Sequence, residues 1–135
     1  MAFDLNLEFR LSGKPARVME LLTDAQLIRK WSGGEAVIEN MPGGRFEMFD
    51  GWVTGVVIAT GEKELAYTWK TSEWDEDAAP SDVHYTLKGD NQGGTVITVK
   101  HTGFPNEAER DSHKTGWSDF FFDPMEDYML IIDKS

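Results

Sequence analysis

Residues 116–132 read GWSDFFFDPMEDYMLII and form the longest apolar segment with helical periodicity in this chain. Large side chains recur there every three or four positions, which is the spacing of one helix face. The stripe consists of Trp117, Phe121, Met125 (or Pro124), Tyr128 and Ile132. A helix with so bulky a face needs a broad apolar surface, so we predict that it packs across an antiparallel sheet and leaves a cavity beneath it.

Pro124 interrupts this segment, because a proline inside a helix removes one backbone hydrogen bond. The tetrapeptide Asp123-Pro124-Met125-Glu126 also matches a capping box, with Asp as the N-cap and Glu at the third helical position. We therefore expect the helix to bend or restart at Pro124 while the apolar stripe continues across it.

The N-terminal third predicts one strand followed by two short helices. Residues 3–11 alternate strictly between apolar and polar side chains, which is typical of a half-buried strand. Pro15 suits the first turn of a helix, Thr23-Asp24 predicts a cap between two helices, and Ser32-Gly33-Gly34 ends the second.

Residues 36–101 predict six strands joined by hairpin-like turns, which indicates an antiparallel meander. Gly55 lies inside one of these strands and predicts a bulge or a bend. With no internal repeat and no second segment of different character, we expect residues 1–135 to form a single domain.

The charge balance argues against two classes of partner. Thirteen Lys and Arg oppose 24 Asp and Glu, for a net charge of −11. Such a field repels both nucleic acid and an anionic membrane surface. The chain has no cysteine, and residues 1–4 lack the pattern of a signal peptide, so we expect a cytoplasmic protein.

The titratable residues predict neither a metal site, nor a cofactor, nor a catalytic centre. No histidine has a partner at a metal-ligand spacing, and no nucleophile motif is present. We expect His84 to be exposed, and His113 to lie in solvent or near the start of the last helix. His101 shares a face with apolar residues and is expected to point inward near the pocket rim. A structural role is favoured there over ligand binding or acid–base chemistry.

Aromatic side chains carry the main functional signal. If the strand alternation holds, they converge between sheet and helix, and buried Tyr and Trp then need hydrogen-bond partners. This favours an amphipathic pocket, although a filled aromatic core remains the alternative. The predicted cavity-lining residues are Phe46, Met48, Tyr67, Trp69, Tyr85, His101, Trp117, Phe121 and Tyr128.

Short motifs along nearly the whole chain resemble the START-like (SRPBCC) superfamily. They are Gly43-Gly44-x-Phe46, Asp50-Gly51, Gly55, Tyr67-x-Trp69, Ser81-x-Val83, Thr95-x-Ile97, His101-x-Gly103-Phe104 and Gly116-Trp117. The resemblance is closest to the group named for the activator of heat-shock protein 90 ATPase, in its C-terminal-domain-like branch. It implies the α+β helix-grip fold, in which a curved antiparallel sheet wraps around a long C-terminal helix and two short helices follow the first strand.

The resemblance implies three functions, in decreasing order of preference. The first is binding of a small apolar or aromatic molecule, such as a lipid, in the cavity. The second is a chaperone-associated role in the stress response, for which the acidic surface and an exposed Trp74 would be the contact features. The third is a cyclase- or hydrolase-type activity with His101 or a buried tyrosine as acid or base.

Overall fold

A computed structural model of the chain describes residues 3–133, which form an antiparallel sheet and a long C-terminal helical arm. The strands are β1 (Phe3–Leu11), β2 (Val37–Ile38), β3 (Arg45–Met48), β4 (Val53–Thr60), β5 (Glu64–Thr71), β6 (Ser81–Gly89) and β7 (Thr95–Phe104). The helices are α1 (Pro15–Thr23), α2 (Ala25–Ser32), α3 (Glu107–Gly116) and α4 (Asp123–Ile132), with a π-helical segment (Trp117–Phe122) joining α3 to α4.

The sheet has the order β1-β7-β6-β5-β4-β3-β2, with every neighbouring pair antiparallel. Strands β2 to β7 follow one another in space as in sequence, so the predicted meander is confirmed. The first strand pairs with the last, β1 with β7. Successive side chains of a strand point to opposite faces, and the predicted inward residues Tyr67, Tyr85 and His101 are all buried.

Position 55 on β4 requires glycine for a reason other than the predicted bulge or bend. The register of β4 against β5 shifts between Val57 and Ala59, so the irregularity lies beyond Gly55. A Cβ atom on Gly55 would lie 1.9 Å from the carbonyl oxygen of Thr68. Glycine is therefore required because the two backbones approach closely there.

The two short helices are placed as predicted. Pro15 is the first residue of α1, and the Asp24 carboxylate accepts hydrogen bonds from the backbone N–H groups of Gln26 (2.9 Å) and Leu27 (3.4 Å). This N-cap satisfies donors that the first turn of α2 leaves without partners. The buried faces include Val18, Leu21, Leu22, Ile28 and Trp31.

The C-terminal arm begins earlier than the sequence predicts. Asn106 accepts a hydrogen bond from the backbone N–H of Glu109 at 2.9 Å and starts α3 at Glu107. His113 therefore lies inside a helix and faces the sheet, with 7% exposure. Of the two expected positions of His113, solvent is wrong, and the one near the start of the helical arm holds, because α3 begins at Glu107 and includes His113.

The apolar stripe of the arm recurs every four residues rather than every three to four. Its buried members are His113, Trp117, Phe121, Met125 and Met129. Four residues of α-helix overshoot a full turn by about 40°. The wider turns of the π segment (Trp117–Phe122) rotate the face back, which keeps these residues on the sheet.

Two members of the predicted stripe are displaced by this change of winding. Tyr128 is only partly buried, and Ile132 is 51% exposed. The change of helix type at Asp123 confirms a restart beside Pro124, but Asp123 is helical and α4 begins with no side-chain capping hydrogen bond. The predicted capping box is wrong because the Glu126 carboxylate accepts instead from the backbone N–H (2.9 Å) and hydroxyl (3.0 Å) of Ser12.

The architecture is the predicted α+β helix-grip fold, with the buried face of the sheet closed around the arm of residues 107–132. None of the helices within residues 3–133 has the length and hydropathy of a membrane span.

Candidate functional site

A cavity of about 150 Å³ lies between the β3–β4 turn, β5 and the junction of α3 with the π segment. Six of its wall residues carry aromatic rings, and these come from three separate stretches of chain: the β3–β4 turn, β5 and the arm. The lining residues are Phe49, Trp52, Trp69, Ser112, His113, Gly116, Trp117, Phe120 and Phe121.

The β3–β4 turn places two rings in this wall through an unusual backbone. Phe49 and Asp50 have φ values of 55° and 61°, in the left-handed region that residues other than glycine seldom adopt. The backbone N–H of Trp52 donates to the carbonyl of Phe49 at 3.1 Å, which holds the turn closed. The Trp52 indole N–H donates to the Glu73 carboxylate at 2.7 Å. Such conformations persist only when surrounding contacts enforce them.

Trp69 on β5 and His113 on α3 are joined through their side chains. The Trp69 indole N–H donates to Nε2 of His113 at 3.1 Å. Because an indole N–H can only donate, Nε2 is the acceptor and the proton of His113 resides on Nδ1. Nδ1 then donates to the carbonyl of Glu109 at 2.9 Å. His113 is thus a neutral imidazole with both nitrogens occupied.

His101 on β7 has the same arrangement one layer deeper. The Trp117 indole N–H donates to Nδ1 of His101 at 3.2 Å, so Nε2 carries the proton and donates to the Ser81 hydroxyl at 2.7 Å. The Ser81 hydroxyl donates in turn to the carbonyl of Trp69 at 2.7 Å. The two histidines therefore belong to one hydrogen-bonded chain that ties β5, β6 and β7 to the helical arm.

Burial keeps both imidazoles uncharged. Burial, with a smaller contribution from the neighbouring His113, lowers the pKa of His101 from 6.5 to about 2. Burial also lowers the pKa of His113, opposed in part by the Glu109 carbonyl and by the negative charges of Glu109 and Glu73. The cavity wall thus carries no positive charge of its own at neutral pH.

The rings around the cavity meet at a range of angles. Trp52 and Trp69 have centroids 6.4 Å apart and planes at 84°, and Trp117 meets Phe121 at 4.8 Å and 63°. Trp69 and Trp117 meet at 5.1 Å and 40°, and Trp52 stacks on His113 at 6.0 Å and 21°. The wall therefore combines edge-to-face, tilted and parallel ring contacts.

Three of the nine predicted site residues line this cavity: Trp69, Trp117 and Phe121. The others lie outside its wall. Phe46, Met48, Tyr67, Tyr85 and His101 are packed in the closed interior, and Tyr128 is partly buried against it. The His101 imidazole has no open nitrogen and does not border the cavity, so the geometry gives no support to an acid–base role for it.

Sequence reasoning missed the other lining residues: Phe49, Trp52, Ser112, His113, Gly116 and Phe120. Two signals could have found some of them. Phe49 and Trp52 flank the Asp50-Gly51 turn, and the Asn106-x-x-Glu109 pattern marks the start of α3, which brings His113 one turn before Trp117. Nothing in the sequence marks Phe120, which is 67% exposed at the cavity.

Two further predictions concern side chains outside the wall. Trp74 is buried, with 8% exposure, because its indole N–H donates to the Glu109 carboxylate at 2.7 Å. The expectation of an exposed Trp74 is therefore wrong. His84 lies on the outer face of β6 with its side chain 44% exposed, as predicted.

Within residues 3–133 no group of three or more His, Cys, Asp or Glu side chains is arranged to hold a metal ion. The cavity wall contains no carboxylate and offers only hydroxyl, indole and imidazole polar groups. What the arrangement can do chemically is enclose a small guest against ring faces.

Comparison with known proteins gives a consistent picture. The sequence profile of the family described as Activator of Hsp90 ATPase homolog 1-like protein matches residues 12–129. The activator of 90 kDa heat shock protein ATPase homolog 1 of Mus musculus is 27% identical over 110 residues, which are 81% of this chain and 32% of that protein. A Dictyostelium discoideum homologue is 26% identical over 115 residues, covering 84% and 29%. The chain thus spans about a third of the length of these curated relatives.

Solved structures agree on the fold. A crystal structure described as an HSP90 activator from Plasmodium falciparum matches with a TM-score of 0.81 at 23% identity, covering 96% of both chains. A protein from Mesorhizobium loti matches with a TM-score of 0.82 at 25% identity, covering 96% of this chain and 98% of that one.

Proposed function

The chain belongs to the Activator of Hsp90 ATPase homolog 1-like protein family, and we propose that it binds a small apolar or aromatic molecule in the cavity beneath its C-terminal arm. The single observation that carries this proposal is the set of six rings that line one cavity. Ligand sites are typically concave and lined mainly by apolar and aromatic side chains, and this cavity has such a wall and opens to solvent beside Phe120.

The volume sets the size of the guest. Pockets for drug-sized ligands measure about 300–1,000 Å³, whereas an engineered apolar cavity of about 150 Å³ binds benzene. The cavity here, at about 150 Å³, fits one small ring or a group of similar bulk. It is too small for a sterol or a complete lipid, so the proposal narrows to compact guests.

The expected affinity is modest. A guest of so few heavy atoms gains most of its free energy by burying apolar surface, at about 25 cal/mol per Å². Association costs then leave about −4 to −8 kcal/mol, which corresponds to dissociation constants of about 1 mM to 1 µM.

Isothermal titration with neutral single-ring compounds (phenol, benzyl alcohol and indole) tests the proposal. We expect at least one to bind with a stoichiometry of one. Gly116→Leu places a side chain in the cavity wall and should abolish binding, whereas Ala108→Leu adds the same group on the exposed face of α3 and should not. No binding across the panel, or equal binding to Gly116→Leu, would refute the proposal.

A second candidate function is action on a 90 kDa heat-shock ATPase, which family membership favours. The exposed apolar residues Leu130 (46%) and Ile131 (66%) at the end of α4 offer a surface for such a contact. Turnover of the ATPase should rise on adding the chain and rise less with Ile131→Asp. Unchanged turnover at saturating protein would remove this candidate and leave the cavity proposal untouched.

A further inference from the structure

The cavity is a cage of aromatic faces inside a strongly acidic protein, and this combination bears on the charge of its guest. A ring presents a negative face and a positive edge, so rings that surround a space attract a cation placed between them. Trp52, Trp69 and Trp117, the residue type with the strongest attraction of this kind, contribute half of the six rings. We propose that the guest carries a quaternary ammonium group, an inference that rests on the proposed binding function of the cavity.

The positive edges of the three indoles are already occupied. The N–H of Trp52 donates to Glu73, that of Trp69 to His113, and that of Trp117 to His101. Each acceptor occupies the indole N–H and polarises the ring so that its faces become more negative. The Trp52 ring gains most, because its acceptor at 2.7 Å is a carboxylate.

The occupied polar groups of the wall also disfavour a primary ammonium group. Within residues 3–133 no buried side-chain nitrogen or oxygen lacks a hydrogen-bond partner, and both nitrogens of His113 are occupied. The wall still offers the hydroxyl of Ser112, which is exposed. A primary ammonium has three N–H groups to satisfy and would find this one side-chain acceptor, whereas methyl groups need none. The geometry therefore favours a nitrogen fully substituted by carbon.

The field at the cavity has the matching sign. Burial lowers the pKa of His113, and the charges of the Glu109 and Glu73 carboxylates oppose that shift, so these two carboxylates contribute a negative potential at this wall. The lining residues include no Lys or Arg. In the described part of the chain, the cation–π contact formed internally pairs Arg110 with Phe3, neither of which lines the cavity. The cage rings are thus free to face an external cation.

Choline and 3,3-dimethyl-1-butanol provide a matched test, since they differ by a quaternary nitrogen in place of a carbon. Calorimetric titration of the wild-type chain should give choline a dissociation constant at least about tenfold lower than that of its neutral isostere. If the isostere binds as well as choline, or if neutral rings bind while choline does not, the inference fails and the proposed function survives. If nothing binds, both fail.

Variants of two carboxylates test whether the charge beside the cavity contributes to choline binding. Glu73→Gln keeps an acceptor for Trp52 and should weaken choline binding about threefold or more while leaving the isostere unchanged. Glu62→Gln is the matched control, because Glu62 is exposed in the β4–β5 turn, at the end of β4 and β5 opposite to Glu73. Equal weakening by both variants would show a general charge effect and overturn the role of the local field.

Substitutions of Trp52 test whether an aromatic face at this position contributes to choline affinity. Trp52→Phe retains an aromatic face and should keep choline affinity within about threefold, whereas Trp52→Leu should lower it about tenfold. Both variants are first checked for an unchanged far-UV spectrum. Equal losses in the two variants would show that packing, not the ring face, governs binding.

Titration with phosphocholine tests whether the quaternary ammonium group of the guest belongs to a lipid head group or to a free ammonium compound. Its phosphate would approach the same carboxylates that favour the cation, so it should bind more weakly than choline. Tighter binding of phosphocholine would contradict the proposed field and point to a head group.

Discussion

The interior beneath the C-terminal arm has a closed end and a hollow end, both built from aromatic rings. At the closed end Phe46 and Tyr67 stack with centroids 3.8 Å apart and planes 11° from parallel. At the hollow end Trp52 and Trp69 lie 6.4 Å apart at 84°. Ring orientation alone does not separate the two ends, since Tyr67 and Tyr85 at the closed end also meet at 83°. The ends differ in exposure, from Phe46 at 1% to Phe120 at 67%.

The polar atoms of the two ends are satisfied in different ways. At the closed end the Tyr67 and Tyr85 hydroxyls bond only to each other, at 2.5 Å, and burial raises the pKa of both. At the hollow end two indoles of the cavity wall donate to histidines, one in the wall and one behind it, which donate onward to a backbone carbonyl and a hydroxyl. Hydrogen bonding thus fixes the ring walls of the cavity without filling the space between them.

The largest difference between the ends should appear on truncating one ring at each. Phe46→Ala removes a ring that is 1% exposed and should lower the free energy of unfolding by about 3–5 kcal/mol. Phe120→Ala removes one that is 67% exposed and should change it by no more than about 0.5 kcal/mol. Urea denaturation measures both. Similar losses would show that the two ends do not differ in packing.

Acid should destabilise the fold through the two buried histidines, His101 in the closed interior and His113 in the cavity wall. His101 has a pKa of about 2 when folded and about 6.5 when unfolded, so below pH 6.5 the unfolded chain binds the proton first. Stability is full above pH 6.5 and falls toward pH 2 by up to about 1.4 kcal/mol per pH unit. The lowered pKa of His113 acts in the same direction.

Urea denaturation of the wild type and of His101→Gln between pH 7 and pH 4.5 checks this dependence. The glutamine amide can accept and donate hydrogen bonds but does not titrate in this range, so the variant should lose less stability on acidification. Parallel curves for the two proteins would contradict the assignment.

The tyrosine pair at the closed end should behave as a unit. Tyr67→Phe leaves the Tyr85 hydroxyl buried without a partner and should cost about 1–3 kcal/mol. The double variant with Tyr85→Phe removes both hydroxyls and should cost less than the sum of the single changes. Additive losses, measured by urea denaturation, would mean that the hydroxyls do not depend on each other.

The smallest effect is a gain in stability at the hollow end. Gly116 has helical φ and ψ of −61° and −35°, and an added Cβ would lie 3.9 Å from Phe120, an ordinary contact. Gly116→Ala should therefore raise the free energy of unfolding by about 0.5–1 kcal/mol while weakening guest binding. A gain in both stability and affinity would contradict the view that this space serves binding.

The sequence predicts the fold and the closed end well because both follow from local periodicity. Alternation along β5, β6 and β7 places Tyr67, Tyr85 and His101 on the inner face, and all three are buried. The four-residue spacing from Trp117 to Phe121 likewise predicts their shared face. These positions need no knowledge of how distant segments meet.

The hollow end resists prediction because it depends on long-range geometry and on irregular backbone. Phe49 reaches the wall only through a positive φ, and Phe120 only through the π segment. Neither feature has a periodic signature in the sequence. Trp74 shows the same limit, since its burial follows from a hydrogen bond to Glu109, 35 positions later.

The indole N–H signals in a ¹H–¹⁵N correlation spectrum test the central claim most directly. Trp52, Trp69 and Trp117 line the cavity, whereas Trp31 and Trp74 do not. On titration with choline or a neutral single-ring compound that binds, the three cavity signals should shift saturably and together, and the other two much less. Unchanged cavity signals, or equal shifts of all five, would contradict a guest enclosed beneath the C-terminal arm.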